Sequence, residues 1–361
     1  MAVGFPVKAN YVTGDVLSAA NMNDLSGSVN LLTSAQYAAG KNKIINGDFG
    51  INQRNFTSTT TDATFGFDRF PLLYSGGTCT YSAQTFTLGA APVAGYEGKN
   101  FARLVSTSQT TAGHFCATSQ KIEDVRTFAG QTVTYSFWAK ASTGTPNIGV
   151  AMQQNFGSGG SPSSEVITSP AVQAITASWA RYSFTVNVPS ISGKTIGTTA
   201  NTSYLGAWIF TSAGTTISGL GYPAVGLQNV TIDIWGVQLE SGSTASPFQT
   251  ATGTIQGELA ACQRYFRVVK YGILGACVST TTVQLAIYHA SMRTTPTLAV
   301  SAAVQISDMI SSNSTQSSAS VSTIAGDTEG TWLSLPNYSG LTSGRPATLN
   351  SSTGITLSSE L

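Results

Sequence analysis

The sequence predicts an all-β protein: a jelly-roll β-sandwich, a smaller C-terminal β domain and a short N-terminal helix. Three observations predict it. The 361 residues include 45 Ser, 49 Thr and 37 Gly, only 33 charged residues, and 16 Phe, 13 Tyr and 5 Trp. That mixture favours pleated, half-buried surfaces whose outer faces are polar but uncharged. From Lys41 to about Thr250 apolar residues alternate with polar ones, and clusters such as GSGGSPSS and PSISGKTIG interrupt the runs. Helical spacing is convincing only near the start.

Residues 1–40 carry that helical stretch, TGDVLSAANMNDLSGSVNLLTSAQY. Thr13 or Asp15 can cap it, and Met22, Leu25, Val29 and Leu32 recur at helical spacing. A seam of about two heptads is too short to hold a coiled coil alone. Gly27 and the nearby Asn residues weaken it further. The helix therefore needs a partner surface, either sister chains or a docking platform, unless it packs on its own chain.

Residues 41–250 read as the sandwich. Candidate strands are 43–46, 64–70, 78–86, 101–106, 114–122, 132–140, 148–154, 178–188, 204–211 and 230–239. Many short strands without intervening helices indicate a jelly roll rather than an α/β fold. Residues 251–361 read as a small β domain. Residues 250–257 serve as a linker, 258–262 as a helical turn, and 264–271, 283–289, 297–300 and 354–357 as short strands. The Ser- and Asn-rich stretch 311–322 reads as a long exposed loop.

Composition excludes several functions. A net charge of +1 without a basic block argues against nucleic-acid binding. No apolar run reaches the ~20 residues of a membrane span, and the N-terminus MAVGFPVKAN lacks the pattern of a secretory signal. Cys79, Cys116, Cys262 and Cys277 are widely spaced, as are His114 and His289, so no zinc pattern can be written. Buried, reduced thiols are the expectation.

A catalytic reading finds little material. There is no GxSxG, HExxH or Walker loop, and most acids stand singly. The Glu123–Asp124 pair beside Lys121 and Arg126 reads as a solvated turn. No enzyme activity is expected.

The tryptophans are more informative. In TVTYSFWAK, Val133, Tyr135, Phe137 and Ala139 form a core phase, which leaves Trp138 on the other face beside Lys140. In ASWARYSFTVNV, Tyr182, Phe184, Val186 and Val188 form the core, which leaves Trp179 with Arg181. A flat ring with polar neighbours suits a sugar. The alternative is that loops or a neighbouring subunit cover these rings. Trp208 and Trp235 lie in strands apolar on both phases and read as core. Asp48 and Asp233 would meet if the first and last strands pair, and could then hold a structural Ca²⁺. Ordinary turn and edge polarity is the alternative, and no cofactor is required.

In order along the chain stand NKIINGDFGINQR, FGFDRF, VTYSFWAKAS, WGVQLESGSTASPFQ, ELAACQRYFRVV and SMRTTPTLAV. This series resembles bacteriophage tail-fibre and minor tail proteins with a carbohydrate-binding-like jelly roll. The resemblance spans Lys41 to about Val300, and VTGDVLSAANMNDL looks like the particle-joining segment of such fibres. A long fibrous shaft is missing, which implies a short fibre or compact appendage. The resemblance implies a homotrimer on the virion tail, assembled in the host cytoplasm, with tail or baseplate proteins and a host surface glycan as partners. Residues 1–40, with the seam Met22, Leu25, Val29 and Leu32, would attach it or form the trimer seam. Adhesion would be multivalent and non-catalytic, without nucleic-acid binding or membrane insertion. Two other classes stay open: a purely structural virion protein such as a head decoration, adaptor or baseplate component, and a capsule-degrading tailspike.

Overall fold

The computed structural model describes residues 40–94, 96–308 and 313–361. The expected N-terminal helix, with Met22, Leu25, Val29 and Leu32, lies outside the described residues.

Antiparallel strands dominate. The first are β1 (Ser58–Thr59), β2 (Thr64–Phe65), β3 (Pro71–Ser75), β4 (Thr78–Thr85), β5 (Asn100–Thr107) and β6 (Phe115–Ile122). After them come β7 (Thr132–Ala141), β8 (Asn147–Asn155), β9 (Val166–Thr168), β10 (Gln173–Ala174) and β11 (Ala180–Asn187). Then β12 (Tyr204–Ala213), the short helix α1 (Thr215–Gly219) and β13 (Val230–Ser241) complete the region. One sheet has the order β1-β4-β5-β13-β7-β11, the other β10-β8-β12-β6-β3-β2 with β9 beside β8. The crossing of sequence neighbours between the two sheets is the jelly-roll arrangement.

Alternation explains the core. Val133, Tyr135, Phe137 and Ala139 of β7 point inward with Phe184 and Ile234, and meet Leu72, Ile148, Val150, Leu205 and Ile209 of the second sheet. Thr134 and Ser136, on the opposite phase of β7, are also buried. The outer face of this sheet is therefore covered as well.

The two ends of the sandwich sequence latch together. Lys43 donates its backbone N–H to Leu239 O, and Val237 donates to Gly47 O, so residues 43–47 run along β13. A Cβ on Gly47 would lie 2.1 Å from Val237 O, so only glycine allows that approach. The Asn42 side chain donates to Val237 O and Gln249 O and accepts from Ile44 and Leu239. Glu240, fully buried, accepts from the Ser246 backbone and hydroxyl, from Gln238 and from Lys41.

Helix α2 (Ile255–Gln263) leads into a third sheet. Thr254 caps it by accepting from Gly257 N–H, so the helix starts inside the stretch read as a linker. The sheet contains β14 (Phe266–Cys277), β15 (Val283–Tyr288), β16 (Thr297–Ala299), β17 (Gln305–Ser307) and β18 (Asn313–Thr315). It is completed by β19 (Ser322–Gly326), β20 (Gly330–Leu335) and β21 (Pro346–Ser358). Leu285, Leu333, Leu349 and Leu357 are among the residues of its own core. The stretch 311–322 is not wholly loop, because β18 pairs with β17.

A buried ionic junction joins this sheet to the sandwich. The Glu360 carboxylate sits between Arg54 and Arg69, and Arg54 also pairs with Asp68. The guanidinium of Arg69 lies 3.4 Å from the centroid of Tyr265 and that of Arg54 lies 3.6 Å from the centroid of Phe266. Arg293 donates to Asn201 O, Ser359 O and Glu360 O. Glu258 of α2 accepts from the Asn46 and Thr252 backbones at 2.7 Å each.

Two outcomes follow from this packing. Phe137→Ala, at a fully buried ring stacked on Phe184, should cost about 3–5 kcal/mol in chemical denaturation. Burial pushes the Glu240 carboxyl up, but the hydrogen bonds from Ser246, Gln238 and Lys41 outweigh it and hold the pKa below its ordinary 4.5. Folding thus favours the ionised form. Its stabilisation is complete above the unfolded-state value and lost as pH falls through the lower folded value. Denaturation at pH 7 and pH 3 should show Glu240→Gln losing less stability on acidification than wild type; equal losses would refute the latch as an acid-sensitive element.

Candidate functional site

Aromatic side chains stand on the outer faces of both sandwich sheets, in different states. On the first sheet Trp138 lies opposite Trp235 of β13 and Arg181 of β11. Its ring packs edge-on against Trp235 at 5.6 Å and Phe248 at 6.0 Å, and the Arg181 guanidinium lies over it at 4.7 Å. Trp179 packs against Phe86 and Phe101, with Lys140 Nζ 5.3 Å from its centroid. Trp235 is completely buried, though on this outer face rather than between the sheets, enclosed by Phe86, Tyr96 and Phe248.

Trp138, Lys140, Trp179 and Arg181 are thus brought together, but not as free-standing sugar platforms. Both tryptophans are half-buried in a ring cluster of their own chain. The cations expected to flank a sugar lie over the ring faces a sugar would need.

Asp48 and Asp233 are not joined into a calcium site. Residues 43–47 meet β13 at Val237 and Leu239 rather than at Asp233. The Asp233 carboxylate takes two hydrogen bonds from Arg103, at 2.6 and 2.9 Å, with Lys140 Nζ at 3.7 Å. Two cationic neighbours oppose a third cation there. Asp48 accepts instead from the Tyr96 hydroxyl at 2.8 Å and from Gly50 N–H. Among the described residues no cluster of three or more His, Cys, Asp or Glu forms a metal site.

The second sheet carries the more open site. Phe65 pairs with Pro71, Leu72 with Thr118, Ser119 with Trp208, and Trp208 with Ala151. Phe65, Pro71, Ser119, Trp208 and Ala151 therefore form one row across β2, β3, β6, β12 and β8. Every member but Phe65 and Trp208 is small. The half-buried indole stacks on Phe210 at 5.6 Å and meets Tyr222 edge-on at 5.5 Å. Its Nε1–H donates to Gln153 Oε1 at 2.9 Å, and Gln153 Nε2 donates to Glu165 at 2.6 Å. A Cβ on Gly206 would come within 2.9 Å of that indole nitrogen and 3.0 Å of Gln153 Oε1. Glycine therefore lets the indole and the amide lie close to the sheet.

Part of this face is closed. Val225, from the segment after α1, packs with Tyr222 over Phe210 and Ala151. Toward β3 the row continues into a cleft of about 90 Å³, lined by Phe65, Pro71, Leu73, Arg69, Ser119 and Lys121 among others. Lys121 Nζ lies 4.7 Å from the Tyr204 centroid and donates to Leu361 O at 3.0 Å. Burial, reinforced by Arg69 and Arg293, lowers its pKa from 10.5.

Chemically this face offers an oriented ring, an ammonium group and one exposed carboxylate at Glu165, with the Gln153 amide and the Ser119 hydroxyl buried beneath. The sequence reading missed it by counting Trp208 as core. The available signal was the phase of β12: Leu205, Ala207 and Ile209 face the core, which assigns Gly206 and Trp208 to the other side.

No family model matches the chain, and no curated protein matches it. Solved structures give distant likenesses. The enzymatically active domain of bacteriophage CBA120 tailspike protein 4 is 14% identical with TM-score 0.31, over 56% of this chain and 22% of that one. A putative sugar binding protein from Bacteroides thetaiotaomicron is 12% identical with TM-score 0.33, over 56% of this chain and 100% of that one. The family 11 carbohydrate-binding module from Clostridium thermocellum, complexed with a mixed-linked tetrasaccharide, is 11% identical with TM-score 0.29, over 53% of this chain and 99% of that one. Likenesses of this size say nothing of what this chain binds.

If Trp138 and Trp179 belong to packing, Trp138→Ala and Trp179→Ala should each lose about 0.5–3 kcal/mol of stability, the ordinary range for a destabilising substitution. Thermal melting checks this. A wild-type melting temperature in both variants would return the rings to the list of free platforms.

Proposed function

We propose that this chain is a non-catalytic adhesion module of the phage tail-fibre type, which binds a surface glycan across the outer face of its second sheet. The observation that carries the reading is Trp208. Its indole is half-buried, fixed by Gln153, which Glu165 holds in turn, packed against Phe210 and Tyr222, and bordered by the small residues Gly206 and Ser119. An aromatic ring held beside hydroxyl, amide and carboxylate groups meets the two needs of a sugar, a C–H face to stack on and partners for its hydroxyls. The ordered motifs from NGDF to MRTTP support the tail-fibre assignment. In this reading the protein is a homotrimer, attached through residues 1–40, and repetition of a weak site supplies the avidity.

Removal of Trp208 tests the reading. By analogy with base stacking, one aromatic platform contributes about 1–3 kcal/mol. Trp208→Ala should therefore weaken glycan binding roughly 5- to 150-fold, while its melting temperature falls less than that of Phe137→Ala. No reducing ends should be released from host polysaccharide. Release that disappears on changing one Asp or Glu would replace adhesion with catalysis, and unchanged binding by Trp208→Ala would move the site elsewhere.

One observation favours a second reading, a purely structural virion role. The third sheet exposes Tyr288 (89%), Leu274 (62%) and Trp332 (49%). A face of this kind suits assembly with other virion proteins. If Tyr288→Ser and Trp332→Ser block incorporation into particles while Trp208→Ala leaves host adsorption intact, the structural role replaces adhesion.

A further inference from the structure

The four cysteines are free thiols, and all are buried. Two of them meet. Cys79 stands on β4 of the first sheet and Cys116 on β6 of the second, both without exposure and both in the core between the sheets. Alternation along β6 sends the next residue, Ala117, to the outer cluster around Phe210. Cys79 Sγ lies 3.9 Å from Phe115 O, which belongs to the peptide unit leading into Cys116. Contact with the Cys116 thiol, ahead of burial, pushes the Cys79 pKa up. No cysteine acts on the thiols of Cys262 or Cys277, whose charged neighbours are Asp68, Glu258, Arg69 and Glu360 for the first and Asp308 and Arg345 for the second. Contact thus selects one link among those that four cysteines allow.

The place of this pair in the fold gives the link a structural effect. Cys79 pairs with Ser106 and Ser106 with Val230, so the thiols lie level with the start of β13. The latch to residues 42–47 lies at Val237 and Leu239, near the other end of the same strand. At the cysteine end the Gln109 side chain donates to Gly76 O, Thr107 O and Cys79 Sγ and accepts from the Ser212 hydroxyl of β12. These are neutral hydrogen bonds. A covalent link beside them would join the two sheets directly and close a loop that holds β5.

A cysteine reacts as its thiolate. In the folded chain Cys79 is held as the thiol and neither sulfur is exposed. The reaction therefore belongs to the refolding chain, where both groups are still open to solvent. There the Cys79 thiolate attacks one sulfur of a low-molecular-weight disulfide, such as glutathione disulfide, and expels one glutathione thiolate. As the sheets close, the Cys116 thiolate attacks Cys79 Sγ of the mixed disulfide and expels the second. The two cysteines lose two protons and two electrons, and one glutathione disulfide becomes two glutathione thiols. We infer that Cys79 and Cys116 are a disulfide-forming pair that ties the two sheets of the sandwich together when the chain folds under oxidising conditions. The inference goes beyond the glycan-binding reading and does not depend on it.

The test is refolding of the full chain from denaturant, in reduced glutathione alone or with glutathione disulfide added. Alkylation in denaturant and peptide mapping without reduction follow. The oxidised preparation should hold one linked peptide pair, Cys79 with Cys116, and alkylated Cys262 and Cys277. Its melting temperature should exceed that of the reduced preparation by several degrees, as a native cross-link provides. Cys116→Ala should show neither the link nor the difference, whereas Cys277→Ala should keep both. Should Cys116→Ala fail to fold, the wild-type map still decides. Cys79 and Cys116 found alkylated or capped by glutathione in every refolded chain overturns the pairing, as does a link to Cys262 or Cys277. A linked chain that melts below the reduced one overturns it too, because the bond would then strain the sheets instead of tying them.

Discussion

One carboxylate between two arginines organises the described part of the molecule. Glu360, from the end of the third sheet, meets Arg54 and Arg69 from the start of the sandwich. Each guanidinium also stacks on a ring from the segment after α2, Arg69 on Tyr265 and Arg54 on Phe266. Withdrawing one partner from a buried pair of this kind leaves an uncompensated charge and costs about 3–5 kcal/mol. Planar guanidinium groups suit this place because they pair at their edges and stack on their faces at once. The junction also forms the cleft, since Arg69 and Leu361 belong to the lining. A cleft at the edge of the sandwich is thus completed by residues more than two hundred positions away.

The two outer faces of the sandwich show how similar local chemistry leads to different ends. Both bear tryptophan on the phase opposite the core, and both are short of charged residues to cover them. On the first sheet, rings from residues 86–101 and from Phe248 close over Trp235 and flank Trp138 and Trp179. Arg181 and Lys140 then occupy the remaining ring faces. On the second sheet, the segment after α1 reaches Phe210 and Ala151, while the row toward β3 carries only Ser119 and Pro71. Small neighbours make the difference. Gly206 permits the indole to lie close to its strand, and Ser119 is too short to cover it.

Local pattern made much of the fold legible, and long-range covering made the site illegible. Period-two alternation identified Val133, Tyr135, Phe137 and Ala139 as core because a strand's two faces are a property of neighbouring residues. Strand 132–140 accordingly differs from the observed Thr132–Ala141 by one residue at its end. The same rule put Trp138 and Trp179 outside the inter-sheet core. It could not show that Phe86 or Phe248 would lie over that outside, because those contacts close through distant loops. Trp235 is core as read, fully buried, with its ring packed against Phe86, Tyr96 and Phe248. Of the run 64–70 expected as one strand, only Thr64–Phe65 is strand, because the turn at Phe67–Phe70 intervenes before β3 begins at Pro71. Asp48 and Asp233 were paired by the idea that end strands meet. Residues 43–47, expected as a strand, are a turn-rich segment that does meet β13, but at a register that brings Gly47 to Val237 instead.

The scarcity of charge bears on how such a face would work. With 33 charged residues among 361 and a net charge of +1, the protein has no long-range field to steer a ligand. The buried acids Glu360, Asp68, Asp233 and Glu240 are paired internally with Arg54, Arg69, Arg103 and Lys41. An uncharged glycan loses nothing by this, because stacking on Trp208 and hydrogen bonds to amides and hydroxyls act only at contact and are insensitive to salt. A single contact of that strength dissociates readily. Persistence then depends on how many copies are presented together and how far apart they stand. Under the proposed adhesion, the number and spacing of copies rather than the single site would therefore set the strength of binding.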